Sequence, residues 1–387
     1  MEIEFHHLIQ SIHDAPHQLM LVIAGAGHSA LSHLLAVAGA SRTLLEALVP
    51  YSQASFEEFL MHKPEQYVSG QTARRLAGRA YTRAQQLNLA AKPVFGIACT
   101  AAIATDRLKR GEHRAHVARW QADGVWQYDL VLEKGARTRA EEELLVSYLI
   151  LQAIADGCGL AKRLSSPLVP ANPPLAQLTL AHYTYHAAAQ ALVAGESHYV
   201  GITADGLPYP TATPPVILSG SFNPLHEGHL GMAQAAETLL GQPVVFELAA
   251  VNVDKPPLPA DVILARTGQF AGRYPVLVSD APTYLGKARL YPGATFVVGY
   301  DTAVRIFAPR YYHDSVEEML AALAEIEALG CRFLVAGRLD HQGVFRSLAD
   351  VAMPARFASL FTAIPETLFR SDVSSTLLRT TGQQGSR

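Results

Sequence analysis

The amino-acid sequence predicts a two-part α/β chain whose C-terminal half is a doubly wound parallel sheet. Three observations carry this expectation. Short apolar runs recur between residues 216 and 336 with helical stretches between them, the pattern of strands buried on both faces. One such run, Pro215-Val216-Ile217-Leu218, passes through Ser219-Gly220-Ser221 towards the helix-like Met232-Ala233-Gln234-Ala235-Ala236-Glu237. Finally, 387 residues at a usual ~100–200 per domain give two or three domains.

Composition narrows the function classes. A hydrophobic content of 49% against 17% charged residues describes a globular chain with real cores. A net charge of -3 gives no electrostatic reason to expect nucleic acid or an anionic membrane as partner. Cys99, Cys158 and Cys331 are odd in number, widely spaced and without a C-x-x-C, which argues against a disulfide framework or zinc site and for a reducing, cytoplasmic setting. The acidic start, Met1-Glu2-Ile3-Glu4, lacks the basic region of a secretory signal. The most apolar stretch, Leu19 to Ala40, is broken by Gly25, Gly27, His28, Ser29, Ser32 and His33, and so reads as a core strand and helix, not a membrane span. Oligomeric state is not legible, and a homo-oligomer stays open.

Taken in order, Leu19 to Ala24 is a buried-strand run, followed by Gly25-Ala26-Gly27 and a helix from about His28 to Val37. The turn fits G-x-G-x-x-A with Ala30 in last place and Glu46 as a ribose acid ~20 residues on, a weak dinucleotide fingerprint. Glu46 reads as helical, which counts against it. Ser55-Phe56-Glu57-Glu58 reads as a capping box, Thr72 to Leu87 as an amphipathic helix and Lys92 to Ala98 as a strand. His113 to Trp120 and Val125 to Leu132 alternate around Ala122-Asp123-Gly124, a hairpin signal, and a long helix opens at Arg139. The prolines at 167, 170, 173 and 174 mark a linker, with a short helix from Tyr183 to Ala194 and a hairpin turning at Asp205-Gly206.

Residues 5–160 resemble the deamidase domain of the CinA family, the nicotinamide-nucleotide amidohydrolases. The likeness rests on Gly39-Ala40-Ser41, Val49-Pro50-Tyr51-Ser52, Gly96-Ile97-Ala98 and the helix after Arg139. Where that family carries Ser-Cys-Thr-Gly-Gly, this chain has Ala24-Gly25-Ala26-Gly27-His28, and the lysine expected shortly after Tyr51-Ser52 is replaced by Phe56 or a neighbour. Amide hydrolysis needs an activated nucleophile or water, and neither Ala24 nor Gly25 supplies one. The resemblance therefore implies the fold without the hydrolysis, with Ser29, Ser32, His28 and His33 read as structural.

The C-terminal half carries the chemistry. A strand, glycine turn and helix start form an anion site, because the first helical N–H groups lack intrahelical partners and carry the positive end of the dipole. His226 and His229, three residues apart, fall on one face of that first turn, with Gly228 leaving the wall between them bare. Such a pair is commonly surface or core furniture. The longer string G-S-F-N-P-x-H-x-G-H, however, resembles the signature of the nucleotidyltransferase superfamily that includes nicotinamide mononucleotide, pantetheine-phosphate and cytidylyl transferases. Val373-Ser374-Ser375-Thr376-Leu377-Leu378-Arg379 is by itself an ordinary serine cap or a phosphate cradle, and it resembles the superfamily's I-S-S-T-x-x-R with valine for isoleucine.

Asn252-Val253-Asp254-Lys255-Pro256, Gly299-Tyr300-Asp301 and Tyr311-Tyr312 resemble the nicotinamide mononucleotide adenylyltransferases. Asp301 reads equally as a helix N-cap or as an acceptor for ribose hydroxyls. The resemblance implies a Rossmann-like nucleotidyltransferase fold at 214–387, a CinA-like domain at 1–163 and a linker at 164–213. It implies catalysis by His226, His229 and Arg379, with ATP and a pyridine mononucleotide held by Gly220, Ser221, Phe222, Asn252, Lys255, Gly299, Asp301, Ser374, Ser375 and Thr376. Mg²⁺ is expected through the ATP phosphates, with no dedicated protein metal site. A cytidylyl or pantetheine-type transferase and a non-catalytic nucleotide-binding protein are the alternatives.

Overall fold

The computed structural model describes residues 2–106, 110–161, 176–210, 215–251, 257–340 and 342–370. The chain divides into two compact units, one of residues 1–186 with 203–207 and 270–273, the other of the remainder. In the first unit α1 (Glu2–Asp14) precedes β1 (Gln18–Ala24), α2 (His28–Ala36), β2 (Leu44–Leu48), α3 (Gln53–Leu60) and α4 (Gly70–Leu87). Then come β3 (Val94–Ala102), the hairpin β4 (His113–Gln121) and β5 (Gly124–Leu132), α5 (Arg139–Gly157) and β6 (Ala176–Thr184).

The sheet order is β2-β1-β3-β4-β5-β6, parallel through β2, β1 and β3 and antiparallel beyond. Helices cover both faces, so β1 is apolar from Leu19 to Ala24: Leu19, Leu21 and Ile23 enter one core, Met20 and Val22 the other. Thr138 opens α5 with a capping box, its hydroxyl accepting from the Glu141 N–H while the Glu141 carboxylate accepts from Thr138. At Gly96 the backbone of β3 touches that of α4, since a Cβ there would lie 2.2 Å from the Ala77 carbonyl oxygen and 2.3 Å from the Tyr81 nitrogen.

Four sequence expectations need correction here. Glu46 lies on strand β2, where its carboxylate pairs with Arg83 at 2.9 Å. Helix α3 is capped by Ser52, whose hydroxyl accepts from the Ser55 N–H, and not by Ser55. The stretch read as a linker contributes β6, whose nine residues pair with β5 along its full length. The strands do not end with the apolar runs at residue 336, because Phe361–Ala363 pairs parallel with Arg332–Ala336.

Helix α6 (His186–Val193) leads to β7 (Tyr199–Ile202), and the second unit continues with β8 (Val216–Gly220), α7 (Glu227–Leu240) and β9 (Val244–Ala249). Next are α8 (Ala260–Thr267), β10 (Val276–Ser279), α9 (Tyr284–Leu290), β11 (Thr295–Gly299), α10 (Tyr300–Ile306) and α11 (Val316–Ala328). The last strands among the described residues are β12 (Arg332–Ala336), the small ribbon β13 (Arg338–Leu339) and β14 (Phe345–Arg346), and β15 (Phe361–Ala363).

The second sheet runs β15-β12-β11-β8-β9-β10-β7, parallel except for β7 at the edge. Counted by appearance, its parallel strands lie in the order 3-2-1-4-5-6 from β10 to β15. The winding therefore reverses between the neighbours β8 and β11, and the crevice that such sheets offer to ligands opens at their carboxyl ends. Gly220 ends β8 and Gly299 ends β11. Among the described residues no helix is long and apolar enough to cross a membrane.

Replacing Gly96 with alanine should force β3 and α4 apart and lower unfolding stability by about 1–3 kcal/mol, read as a reduced urea midpoint at unchanged slope. An unchanged midpoint would contradict the backbone contact.

Candidate active site

Leaving β8, the chain makes one tight excursion before α7. His226 is the N-cap of that helix, and its Nδ1 accepts from the Gly228 N–H at 3.2 Å. The His229 Nδ1 accepts in return from the His226 N–H at 3.3 Å. Two imidazoles thus build the reciprocal cap that serine and glutamate usually provide. Their rings stack with centroids 3.8 Å apart and planes 28° apart.

The arrangement fixes protonation as well as position. A nitrogen that accepts cannot carry the proton, so each neutral ring keeps its hydrogen on Nε2. Burial holds the His226 pKa below the ordinary value. Burial, and then the neighbouring His226, push His229 down to about 3. Both rings are therefore neutral near pH 7 and each has a single N–H donor.

Phe222 braces this pair from beneath. Its ring meets His229 edge-on at 5.0 Å and Phe246 at 5.3 Å, and the residue is 1% exposed. A Cβ at Gly220 would lie 2.8 Å from that ring, so the glycine makes room for Phe222. The side chain expected against ATP is thus inside the unit, and what Phe222 offers the crevice is backbone. Ser221 is exposed beside it.

Two residues that the sequence reading passed over hold the turn. The Gln269 carboxamide accepts from the Leu225 N–H at 2.8 Å and donates to the carbonyls of Phe222 at 3.0 Å and Arg266 at 3.1 Å. Arg266 donates to the Ser221 carbonyl at 3.3 Å. Their signal in the sequence was a cation and an amide three residues apart at the end of a helix, facing no partner that the sequence names.

At the end of β11, Gly299 is the N-cap of α10, which places Asp301 inside the first helical turn and not at the cap. The Asp301 carboxylate is ion-paired with Arg338 of β13. The fold therefore brings Gly220, Ser221, His226 and His229 on one side and Gly299 and Asp301 on the other to the carboxyl ends of adjacent strands. Asn252, Lys255, Ser374, Ser375, Thr376 and Arg379 lie outside the described residues. Among the described residues no group of three or more His, Cys, Asp or Glu side chains is arranged to hold a metal.

The Gly25–Gly27 turn of the first unit is occupied from within. The Glu143 carboxylate accepts from the N–H groups of Gly27 at 2.7 Å and Ser29 at 3.0 Å, lies 3.1 Å from the His28 Nδ1 and accepts from the Ser147 hydroxyl at 3.1 Å. A side chain at Gly25 would come within 2.0 Å of the Ala101 carbonyl oxygen. The helix start that a dinucleotide fingerprint would give to pyrophosphate already serves an internal anion. His33 stacks on Phe5 at 4.7 Å, in keeping with a structural role.

Residues 217–381 match the cytidylyltransferase-like family. The C-terminal half carries a domain of the nucleotidyltransferase superfamily. Over the N-terminal ~40% of the chain, solved structures of competence/damage-inducible proteins are similar. One, from Agrobacterium tumefaciens, is 18% identical, covers 40% of this chain and 96% of its own, and has a TM-score of 0.34. A CinA superfamily protein from Enterobacter cloacae is 16% identical over 41% of this chain and 91% of its own, with a TM-score of 0.33. Another from Escherichia coli is 20% identical over 40% and 87%, with a TM-score of 0.29. No curated protein matches the chain.

Two measurements check the geometry of the turn between β8 and α7. The His229 ring signals should stay unshifted as the pH falls from ~7 to ~5, where an ordinary histidine titrates near 6.5. Because its folded pKa of about 3 lies below the unfolded value, the unfolded chain takes up the proton first. Its contribution to stability is therefore full above ~6.5 and is lost progressively as the pH falls through that window. Separately, Gln269→Ala should cost the Leu225 amide its exchange protection while the global unfolding midpoint moves little. Retained protection would mean that Gln269 does not hold the turn.

Proposed function

We propose that the C-terminal domain is an adenylyltransferase that joins ATP to nicotinamide mononucleotide, or to its nicotinic acid form, giving the dinucleotide and pyrophosphate. The observation that carries this reading is the pair of neutral, capped imidazoles with Nε2 donors at the reversal point of the sheet. The choice of acceptor rests on sequence likeness: Asn252 to Pro256, Gly299 to Asp301 and Tyr311-Tyr312 resemble the mononucleotide adenylyltransferases, and residues 5–160 resemble a family that handles the same mononucleotide.

In this reaction an oxygen of the mononucleotide phosphate attacks the α-phosphorus of ATP. The new P–O bond forms as the bond to the bridging oxygen breaks, and pyrophosphate leaves with that electron pair. A phosphate monoester is already an anion near pH 7, so no general base is required and catalysis is positioning plus charge stabilisation. His226 and His229 donate from Nε2 to phosphate oxygens and strengthen as charge gathers on the leaving group. Ser374, Ser375, Thr376 and Arg379 would hold the β- and γ-phosphates, and Asp301 would accept from ribose hydroxyls beside its ion pair with Arg338. Mg²⁺ would enter with ATP, bound by phosphate oxygens and waters, and would neutralise part of their charge.

A cytoplasmic setting suits this substrate pair and the three free, buried thiols, of which Cys158 is pushed up by burial to about 12. The cytidylyltransferase-like description of the matched family favours a second reading, transfer of cytidylyl to a phosphorylated acceptor. For the first unit we propose the deamidase-like fold without turnover.

A panel of nucleoside triphosphates against each mononucleotide, read by pyrophosphate release, should give product with ATP and a pyridine mononucleotide. Product with CTP alone would replace the adenylyl reading by the cytidylyl one. His229→Ala should lower turnover by about 10²–10³-fold at preserved fold, and Arg379→Ala should chiefly raise the KM for ATP. Nicotinamide mononucleotide incubated with the intact chain should release no ammonia, and sustained release would contradict the loss of hydrolysis.

A further inference from the structure

The outer strands of the two main sheets are unequal. Among the described residues three of the four are short: β2 has five residues, β7 four and β15 three, and Glu46 of β2 is ion-paired with Arg83. The fourth, β6, has nine residues and no further strand beyond it in the sheet order. Edge strands that face solvent are usually kept short or guarded by charge, proline or a bulge. β6 reads Ala-Gln-Leu-Thr-Leu-Ala-His-Tyr-Thr, without one Asp, Glu, Lys, Arg or Pro, and its pairing with β5 runs unbroken from Ala176 to Thr184.

The register identifies the backbone groups left over. The Tyr185 N–H donates to the Asp123 carbonyl at 2.9 Å, one residue beyond the Thr184–Gly124 pair. Antiparallel strands alternate, so residues 177, 179, 181 and 183 exchange hydrogen bonds with β5, while Leu178, Leu180 and His182 aim their N–H and C=O groups away from the sheet. Among the described residues nothing meets those outward groups. Leu178 and Leu180 lie beside Leu130 and Tyr128, both in the core shared with Leu19 and Leu21. They nevertheless stay 41% and 55% exposed. An apolar row and a row of open backbone groups therefore follow the same edge.

We propose that β6 is the contact between two copies of this chain, paired antiparallel across a two-fold axis at Leu180 so that two six-stranded sheets run on into one. A second copy is the occupant that the strand itself specifies. An axis at its middle residue pairs all nine positions. It sets Leu180 against its own counterpart, Leu178 against His182 of the second copy and Ala176 against Thr184 of the second copy, with the outward backbone groups of each facing the other's. No charge meets a like charge, and the exposed leucines of the two copies pack along one face.

The test weighs the full-length chain by light scattering through a dilution series. The expected result is twice the mass of one chain at the upper end of the series, with the amides of Leu178, Leu180 and His182 slow to exchange. Leu180→Lys sets two ammonium groups face to face and should raise the dissociation constant at least about tenfold at unchanged secondary structure. Leu180→Glu should act alike, and the two variants mixed should regain the pairing that each loses alone. Amide exchange is read on the unmodified chain, so it decides if either variant fails to fold. A single-chain mass at every concentration would overturn the proposal, as would a pair that Leu180→Lys leaves intact or no recovery on mixing. Slow exchange of the three amides in a chain that stays single would mean that something other than a second copy covers the edge, and would equally overturn it.

Discussion

The second unit depends on the way two imidazoles replace a hydroxyl and a carboxylate at the start of α7. A serine–glutamate cap would satisfy the same backbone N–H groups and leave acceptor oxygens at the mouth of the crevice. The His226–His229 cap satisfies them with the Nδ1 of each ring, which puts each ring's hydrogen on Nε2. Each ring's tautomer is then set by the fold itself.

That cap is itself held by its surroundings. Phe222 lies under His229, and Gly220 is bare because Phe222 needs its space. Gln269 and Arg266 draw the backbone of the turn towards the end of α8, so the position of the imidazoles is coupled to a helix two elements further along the chain. On the other side of the reversal point Arg338 engages Asp301, which links the ribbon after β12 to the start of α10. The first unit shows the contrary use of a helix start. At α2 the Glu143 carboxylate takes the N–H groups that a phosphate would need, so a strand–glycine–helix turn there has become internal scaffolding.

Much of this was legible in the sequence because the signals were local. The alternation of apolar runs and helices gave the strands of the second sheet, and the spacing of His226 and His229 placed both rings on one turn. What escaped depended on distant partners. Thr43 to Val49 is rich in leucine, alanine and glutamate, which favour helix, yet β2 forms because β1 offers it a parallel edge. Residues 361–363 are too few to announce a strand, and β12 supplies the pairing. Ser52 lacks an acid at its third following position, so Ser55 with Glu58 looked the better cap. Gln269 was invisible because a glutamine at a helix end has no meaning until the turn it holds is known. The expectations on Asn252, Lys255 and the Ser374 to Arg379 segment fall outside the described residues.

Two neutral rings that present Nε2–H to a triphosphate are the centre of the proposed chemistry. A long-range ¹H–¹⁵N correlation spectrum of the histidine rings, recorded with and without a non-hydrolysable ATP analogue, addresses it most directly. The account predicts the Nε2–H tautomer for both His226 and His229 in the free protein, with both Nε2 resonances displaced on nucleotide binding. Protons on Nδ1, or Nε2 resonances that nucleotide leaves in place, would contradict it.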